Sequence, residues 1–348
     1  MAPVGGASSQ SVRLLRIGLL AACVAAVFGM QRVAVDTRPD GGDSNPAAMR
    51  GHTVEEPALS SSRDNSPFRF VAHSDFVLVP VTVTTGNGRA VPGLSKEDFS
   101  VFDNHIPQQI KEFACEDAPA AIGFVLDASD SMGPRMAKAQ EAIYALLNGV
   151  RPDDQFFLIR FSGRPDLITP LTSNTEEIRH AVRDVDIHGA TALFDAMKMA
   201  WLEMPGAPQP RKAIILISDG EDNASHITPA DFKQFAAESD TTVYTLFIGD
   251  MSDLADPENW NKRNGLILLD EIARQTGGQM FAVSRLKQLP QITEKIGAWI
   301  HAQYVLGYVP SGEGLNGRYH KIQVKVSRPD RFPKLRYSWR RGYFAATP

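Results

Sequence analysis

Cysteine is nearly absent: Cys23 and Cys115 are the only two in 348 residues. An exported, processed form would keep Cys115 alone, so no internal disulfide can staple the fold. Cys115 is expected to be a small buried hydrophobe. Excess charge of one sign is also missing. The net charge is -4, from 36 Lys and Arg against 40 Asp and Glu, which leaves no basic footprint for nucleic acid. The chain has no His-Glu-x-x-His pair, no Gly-x-Ser-x-Gly elbow and no P-loop. These absences remove the zinc peptidases, the elbow-type serine hydrolases and the P-loop nucleotidases that depend on them. The eight histidines read as ordinary side chains.

What is present begins with a basic flank, Arg13 and Arg16, before an apolar run from Ile17 to Met30. This reads as a secretory signal. The run is shorter than the about 20 residues of a membrane span, although a retained anchor stays open. Cys23 follows Leu20-Ala21-Ala22, as in a lipidation box, but apolar residues continue past it. Residues 1–34 are therefore taken as signal or anchor. Residues 35–66 are polar and rich in Ser, Gly, Asp, Asn and Pro, as in Gly41-Gly42-Asp43-Ser44-Asn45. Such a stretch cannot bury enough apolar surface to order itself and reads as a tether. Export with almost no cysteine suits a bacterial periplasmic, surface or secreted protein.

Two patterns follow the tether. Residues 67–118 carry short strand-like runs, with β-branched enrichment over Phe76–Thr84 and an Asn87-Gly88 turn signal. Further strands are expected at Asp98–Phe102 and Gln109–Phe113. From 119 to 302 apolar strands alternate with amphipathic helices. The strands are Ala121–Leu126, Gln155–Phe161, Lys212–Ser218, Thr242–Phe247 and Met280–Val283. Helices are expected over Ala137–Val150, from Thr175, over Ala192–Met204, after Thr228-Pro229, over Leu266–Gln275 and over Gln291–Ala302. The alternation predicts an α/β fold: a doubly wound, mainly parallel sheet covered on both faces. Residues 303–348 return to β character, at Tyr304–Tyr308, Tyr319–Val326 and Leu335–Trp339. The two flanking β segments are each too short to stand alone, so they are expected to pair into one smaller β-rich module.

In an open α/β sheet, ligands bind beyond the carboxyl ends of the strands. Three loops stand at or beside such ends: Asp127-Ala128-Ser129-Asp130-Ser131, Gly189-Ala190-Thr191 and Ser218-Asp219-Gly220. Together they offer three hydroxyls and two carboxylates. An all-oxygen set suits one hard divalent cation such as Mg²⁺, Mn²⁺ or Ca²⁺ rather than zinc or copper. Asp-x-Ser-x-Ser, a later Thr and a later Asp resemble the von Willebrand factor A domain with its metal-ion-dependent adhesion site. The resemblance covers roughly Pro119–Ala302. It implies that Ser129, Ser131 and often Thr191 touch the metal directly, while Asp127 and Asp219 act largely through water. It also implies a protein partner whose Asp or Glu carboxylate completes the metal shell, and no enzymatic activity. The flanks, Gly93-Leu94-Ser95-Lys96-Glu97-Asp98-Phe99, Tyr304–Tyr308 and Arg341-Gly342-Tyr343-Phe344, resemble a bacterial von Willebrand factor A-related subgroup abundant in acidobacteria.

Other acids carry weaker expectations. Asp195, one helical turn after Thr191, either orients the site from behind or is an ordinary acid at a helix start. Asp130 is expected to face solvent, and Glu221 and Asp222 to lie on a solvated loop. Asp250, Asp253, Asp256 and Glu258 lack the Gly and closing Glu of an EF-hand and read as a surface loop. Two other functional readings stay open. One is a structural or assembly factor of the cell envelope whose metal only stabilises the fold. The other is a phosphatase-like hydrolase, whose second Asp would fall where Ser129 stands.

Overall fold

A computed structural model describes residues 76–115, 118–249, 260–311, 316–327 and 334–345. The expectations for the signal, Cys23, the tether and the Asp250–Glu258 loop fall outside these residues. In chain order, β1 (Val77–Thr85), β2 (Phe99–Asp103), β3 (Ile106–Gln108) and β4 (Ile110–Ala114) come first. Next are β5 (Ala120–Asp127), α1 (Met136–Leu147), β6 (Gln155–Phe161), β7 (Pro165–Thr172), α2 (Thr175–Arg183) and α3 (Leu193–Glu203). They are followed by β8 (Arg211–Ser218), α4 (Pro229–Glu238), β9 (Thr242–Phe247), α5 (Trp260–Thr276), β10 (Met280–Ala282) and α6 (Leu289–His301). The chain closes with β11 (Tyr304–Tyr308), β12 (Tyr319–Val326), β13 (Leu335–Trp339) and β14 (Gly342–Phe344).

The central sheet has the order β10-β9-β8-β5-β6-β7, parallel except for β7. All eight residues of β5 are buried, which is why it reads as a continuous apolar run with no polar alternation. Its side chains still divide by parity. Ile122, Phe124 and Leu126 pack with Ile143 of α1, Ile178 of α2 and Ile296 of α6. Ala121 and Val125 face the other way, toward Met197 of α3, Phe232 of α4 and Ile272 of α5. The fold is therefore a doubly wound α/β sheet, as its strand–helix alternation predicts. Gly123 leaves space for a neighbouring ring: a Cβ there would lie 2.2 Å from Phe157.

Local signals account for the helix starts. The Asn174 side chain accepts from Glu176 N at the head of α2. Thr228 and Asp231 form a capping box on α4, with Pro229 in its first turn. Three strands have no counterpart in the expectations: β3, β7 and β14. Pro165 and Pro170 both sit in β7, and proline argues against a strand unless that strand is an edge. β7 is an edge, and its register against β6 shifts twice.

The flanking segments form two antiparallel sheets, β13-β1-β11-β4 and β14-β12-β2-β3. Each sheet draws strands from before and after the α/β region: β1 pairs with β11 and β13, and β2 pairs with β12. One apolar cluster serves both, with Val79, Val81, Leu306 and Tyr308 meeting Val101, Ile322 and Val324. Cys115 corrects its expectation. It is a free cysteine just past the end of β4, and it is exposed.

Candidate metal centre

The central sheet reverses its winding between β5 and β8. From β5 the chain moves outward to β6; from β8 it moves the opposite way, to β9 and β10. The loops leaving β5 and β8 therefore diverge and open a crevice at the carboxyl ends of the strands. Asp127 closes β5, and Ser218 closes β8, with Asp219 following it.

Asp127 is fully buried, and its two oxygens have separate partners. Oδ1 accepts from Ser129 N at 3.0 Å and from Ser129 Oγ at 2.6 Å. Oδ2 accepts from Ser218 Oγ at 2.6 Å, and the same Ser218 Oγ accepts from Gly220 N at 2.9 Å. Ser131 Oγ lies 3.2 Å from Ser129 Oγ. Ser218, which the sequence places in the third candidate loop, is the donor that joins that loop to Asp127. Burial raises the Asp127 pKa. Hydrogen bonds from Ser129 and Ser218 lower it in part, the nearby Asp219 charge raises it again, and the carboxyl is pushed up to about 6.

Asp219 is 2% exposed, and its Oδ1 is buried with no hydrogen-bond partner. Its Oδ2 lies 3.4 Å from Arg135 Nη1, and that Nη1 also donates to the Ser131 carbonyl. Gly220 is required here on two counts. Its φ is +91°, and a Cβ would fall 2.6 Å from the backbone of Gly265 in α5.

The middle loop is tied to both others by backbone. His188 N donates to Ala128 O at 2.9 Å and Asp130 N to Gly189 O at 3.0 Å. The carboxylate of Asp130, although exposed, accepts from Gly189 N at 3.0 Å, so it is a loop tie as well as a surface acid. Thr191 is 1% exposed. Its carbonyl accepts from Asn223 N and Ala224 N, and its N–H donates to Asn223 Oδ1 at 2.8 Å.

Two further acids near the crevice serve as backbone acceptors. Asp195 accepts from His226 N at 3.0 Å and Ile227 N at 3.1 Å, with His226 Nδ1 at 2.9 Å. Both of its oxygens accept from the loop before α4, so it anchors that loop. Burial acts to raise its pKa, but these hydrogen bonds outweigh it and hold the carboxyl below the usual range. Asp222 is not a solvated rim acid. Its Oδ1 accepts from Leu193 N at 2.9 Å and also from Ser225 Oγ, so it caps α3 from a distant stretch of chain.

Among the described residues, no three His, Cys, Asp or Glu side chains are gathered as metal ligands. A cation in this crevice must therefore rely on hydroxyls beside two carboxylates. The donors present are all oxygen, one buried carboxylate oxygen lacks a donor, and the Asp127 charge is held at a cost. A hard divalent cation fits all three conditions. A hydrolase that needs a second carboxylate two residues after Asp127 finds Ser129 there instead.

Part of the chain matches a known domain family. Residues 122–221 match the family model of the von Willebrand factor type A domain. Human inter-alpha-trypsin inhibitor heavy chain H4 is 30% identical over 142 residues, which is 37% of this chain and 15% of that protein. The chain thus spans a small part of the curated relatives it matches. Among solved structures, a von Willebrand factor type A protein from Catenulispora acidiphila is 16% identical, with a TM-score of 0.43, over 82% of this chain and 75% of that one. Proximal thread matrix protein 1 from mussel byssus, in a form with a zinc-occupied MIDAS motif, is 21% identical with a TM-score of 0.41, over 57% of this chain and 49% of that one. The family match over residues 122–221 and the winding of the sheet agree: this part of the chain is similar to a von Willebrand factor type A domain.

Proposed function

We propose that the protein binds a partner through a divalent cation held by Asp127, Ser129, Ser131, Thr191 and Asp219, and that the partner contributes an Asp or Glu carboxylate. The observation that carries this reading is the unpartnered, buried Oδ1 of Asp219, beside hydroxyls that Asp127 orients at the mouth of the sheet crevice. A hard cation bound there supplies positive charge that attracts an anionic oxygen from outside. Neutral hydroxyls leave more of that charge uncancelled than a cage of carboxylates does. The chain's own part is to aim Ser129 through Asp127, to fix the Ser218-Asp219 corner through the Ser218–Asp127 bond, and to hold Thr191 through Asn223. Mg²⁺ is the proposed ion, with Mn²⁺ and Ca²⁺ as alternatives of the same oxygen preference.

The proposed setting is the envelope or surface of a bacterium, reached by export through residues 1–34, with residues 35–66 as tether. Among the described residues, no helix is long and apolar enough to cross a membrane. The bacterial von Willebrand factor A-related subgroup remains the proposed membership within the family.

The test has two readouts. Mn²⁺ binding by calorimetry is expected for the parent and lost in Asp127→Ala and Thr191→Ala. Capture of partner from envelope extract is expected in Mg²⁺, and lost with chelator, with Ser129→Ala, and after amidation of carboxylates in the extract. Metal binding with a large thermal shift but no metal-dependent partner favours the structural reading instead. Equal capture by parent and Ser129→Ala in excess Mg²⁺ overturns the proposal.

A further inference from the structure

We propose that Arg135 is the built-in counter-cation of Asp219: it holds that carboxylate in the metal-free protein and sets how tightly the crevice takes a divalent ion. This rests on the metal-site reading above and gives a specific residue control over it.

The geometry is particular. Arg135 closes the short turn Asp130–Arg135 that links the Ser129-Asp130-Ser131 loop to α1. Its Nη1 donates to the Ser131 carbonyl and lies 3.4 Å from Asp219 Oδ2. One guanidinium thus bridges the loop after β5 to the loop after β8, the two edges of the crevice. Among the described residues it is the only cation in an ion pair with Asp219. The two ends of the pair differ in access: the Arg135 side chain is 19% exposed and that of Asp219 is 3%. The carboxylate is fixed inside, whereas the guanidinium sits at the rim on a long stem that can turn toward water.

A guanidinium and a divalent cation cannot both neutralise Asp219 without repelling each other across a few ångströms of partly buried space. Metal entry must therefore weaken or displace the Arg135–Asp219 contact. By linkage, the free energy of that contact in the metal-free state is subtracted from the metal affinity. Arg135 then stabilises the empty crevice and lowers its affinity for the metal. These opposite signs separate the proposal from a merely structural arginine, whose loss would lower stability equally in both states.

The experiment compares the full chain with Arg135→Gln and Arg135→Lys, using Mn²⁺ titration by calorimetry and thermal melting in chelator and in saturating Mn²⁺. Arg135→Gln is expected to bind Mn²⁺ about tenfold more tightly, equivalent to about 1.4 kcal/mol. It should melt lower than the parent in chelator and level with it in Mn²⁺. Arg135→Lys, which keeps the charge, should stay near the parent. Arg336→Gln removes an exposed charge on β13 and should leave Mn²⁺ affinity unchanged. Equal or weaker Mn²⁺ binding by Arg135→Gln, or an equal loss of melting temperature with and without Mn²⁺, overturns the proposal. A parent that binds no Mn²⁺ at all overturns the metal-site reading itself, an outcome distinct from either.

Discussion

Asp103 and Asp219 are both buried carboxylates, one in the β sheets and one at the mouth of the α/β crevice, yet their surroundings are opposite. Asp103 is 4% exposed and fully served. His320 Nδ1 lies 2.8 Å from Oδ1, while Tyr308 and Tyr343 donate to Oδ2 at 3.0 and 2.7 Å. Burial, together with the Asp103 charge, pushes both tyrosine hydroxyls well above their ordinary pKa, so they remain donors. Asp219 has one distant guanidinium and one oxygen with nothing. A carboxylate whose partners are all supplied by the fold holds the fold together. One left short keeps an acceptor that the described residues do not serve.

The largest expected effect breaks the satisfied cluster. Asp103→Ala removes the shared acceptor of two tyrosine hydroxyls and His320, and should cost about 3–5 kcal/mol, as removal of one partner from a buried charged network does. Urea unfolding should show the same loss in Mg²⁺ and in chelator, because none of this cluster belongs to the crevice. A loss that Mg²⁺ restores would erase the distinction between the two carboxylates.

The next effect uses pH. The Asp127 carboxyl titrates near pH 6 in the folded, metal-free protein, above the usual carboxylate value of about 4. The folded state then holds a proton that the unfolded state has released. Stability in chelator should therefore fall as pH rises from about 4 to about 6, by up to about 3 kcal/mol. Asp127→Asn should flatten that slope. Asp154 supplies the opposite sign. Burial works against its charge, but donation from the backbone of Arg151 and Ala120 and the adjacent His301 hold its pKa below the usual range. Its contribution is present above about pH 4 and disappears as pH falls below that value.

The third effect is metal addition. At about 100 times its dissociation constant, Mg²⁺ should add about 2.7 kcal/mol, or roughly 5–10 °C in melting temperature. Asp219→Asn should remove most of that shift and, having lost the Arg135 ion pair, should melt somewhat below the parent in chelator. A parent that melts identically in Mg²⁺ and chelator would leave the orphan oxygen without a role.

Much of the sheet was legible because its strands announce themselves. The runs Gln155–Phe161, Thr242–Phe247 and Tyr304–Tyr308 have the bounds their composition suggests. β7 was hidden by Pro165 and Pro170, since an edge position is a property of the assembled sheet and not of the segment. The three crevice loops could be named from residue type and spacing. The interactions that position them could not, because they join residues far apart in sequence. Ser218 reaches Asp127 across 91 positions and Arg135 reaches Asp219 across 84. Cys115 misled for a simpler reason: a lone thiol usually hides, but this one follows the last residue of a short strand.

Asp222 sharpens the comparison, because it lies three residues from Asp219 yet belongs with Asp103. Its Oδ1 takes hydrogen bonds from Leu193 N, Phe194 N and Ser225 Oγ, at the start of the helix that follows Thr191. Those backbone N–H groups are the orphan donors of α3, and a carboxylate there also meets the positive end of the helix. Asp222→Ala should therefore cost about 1–2 kcal/mol, as the loss of a capping oxygen does. Asp222→Asn keeps an acceptor and should cost less. Thr191 is held through Asn223, the next residue, so Asp222→Ala should also weaken Mn²⁺ binding a few-fold by loosening the loop, without abolishing it. If Asp222→Ala instead removes Mn²⁺ binding as completely as Asp127→Ala, this acid acts on the cation, and the line between satisfied and waiting carboxylates must be redrawn through the crevice itself.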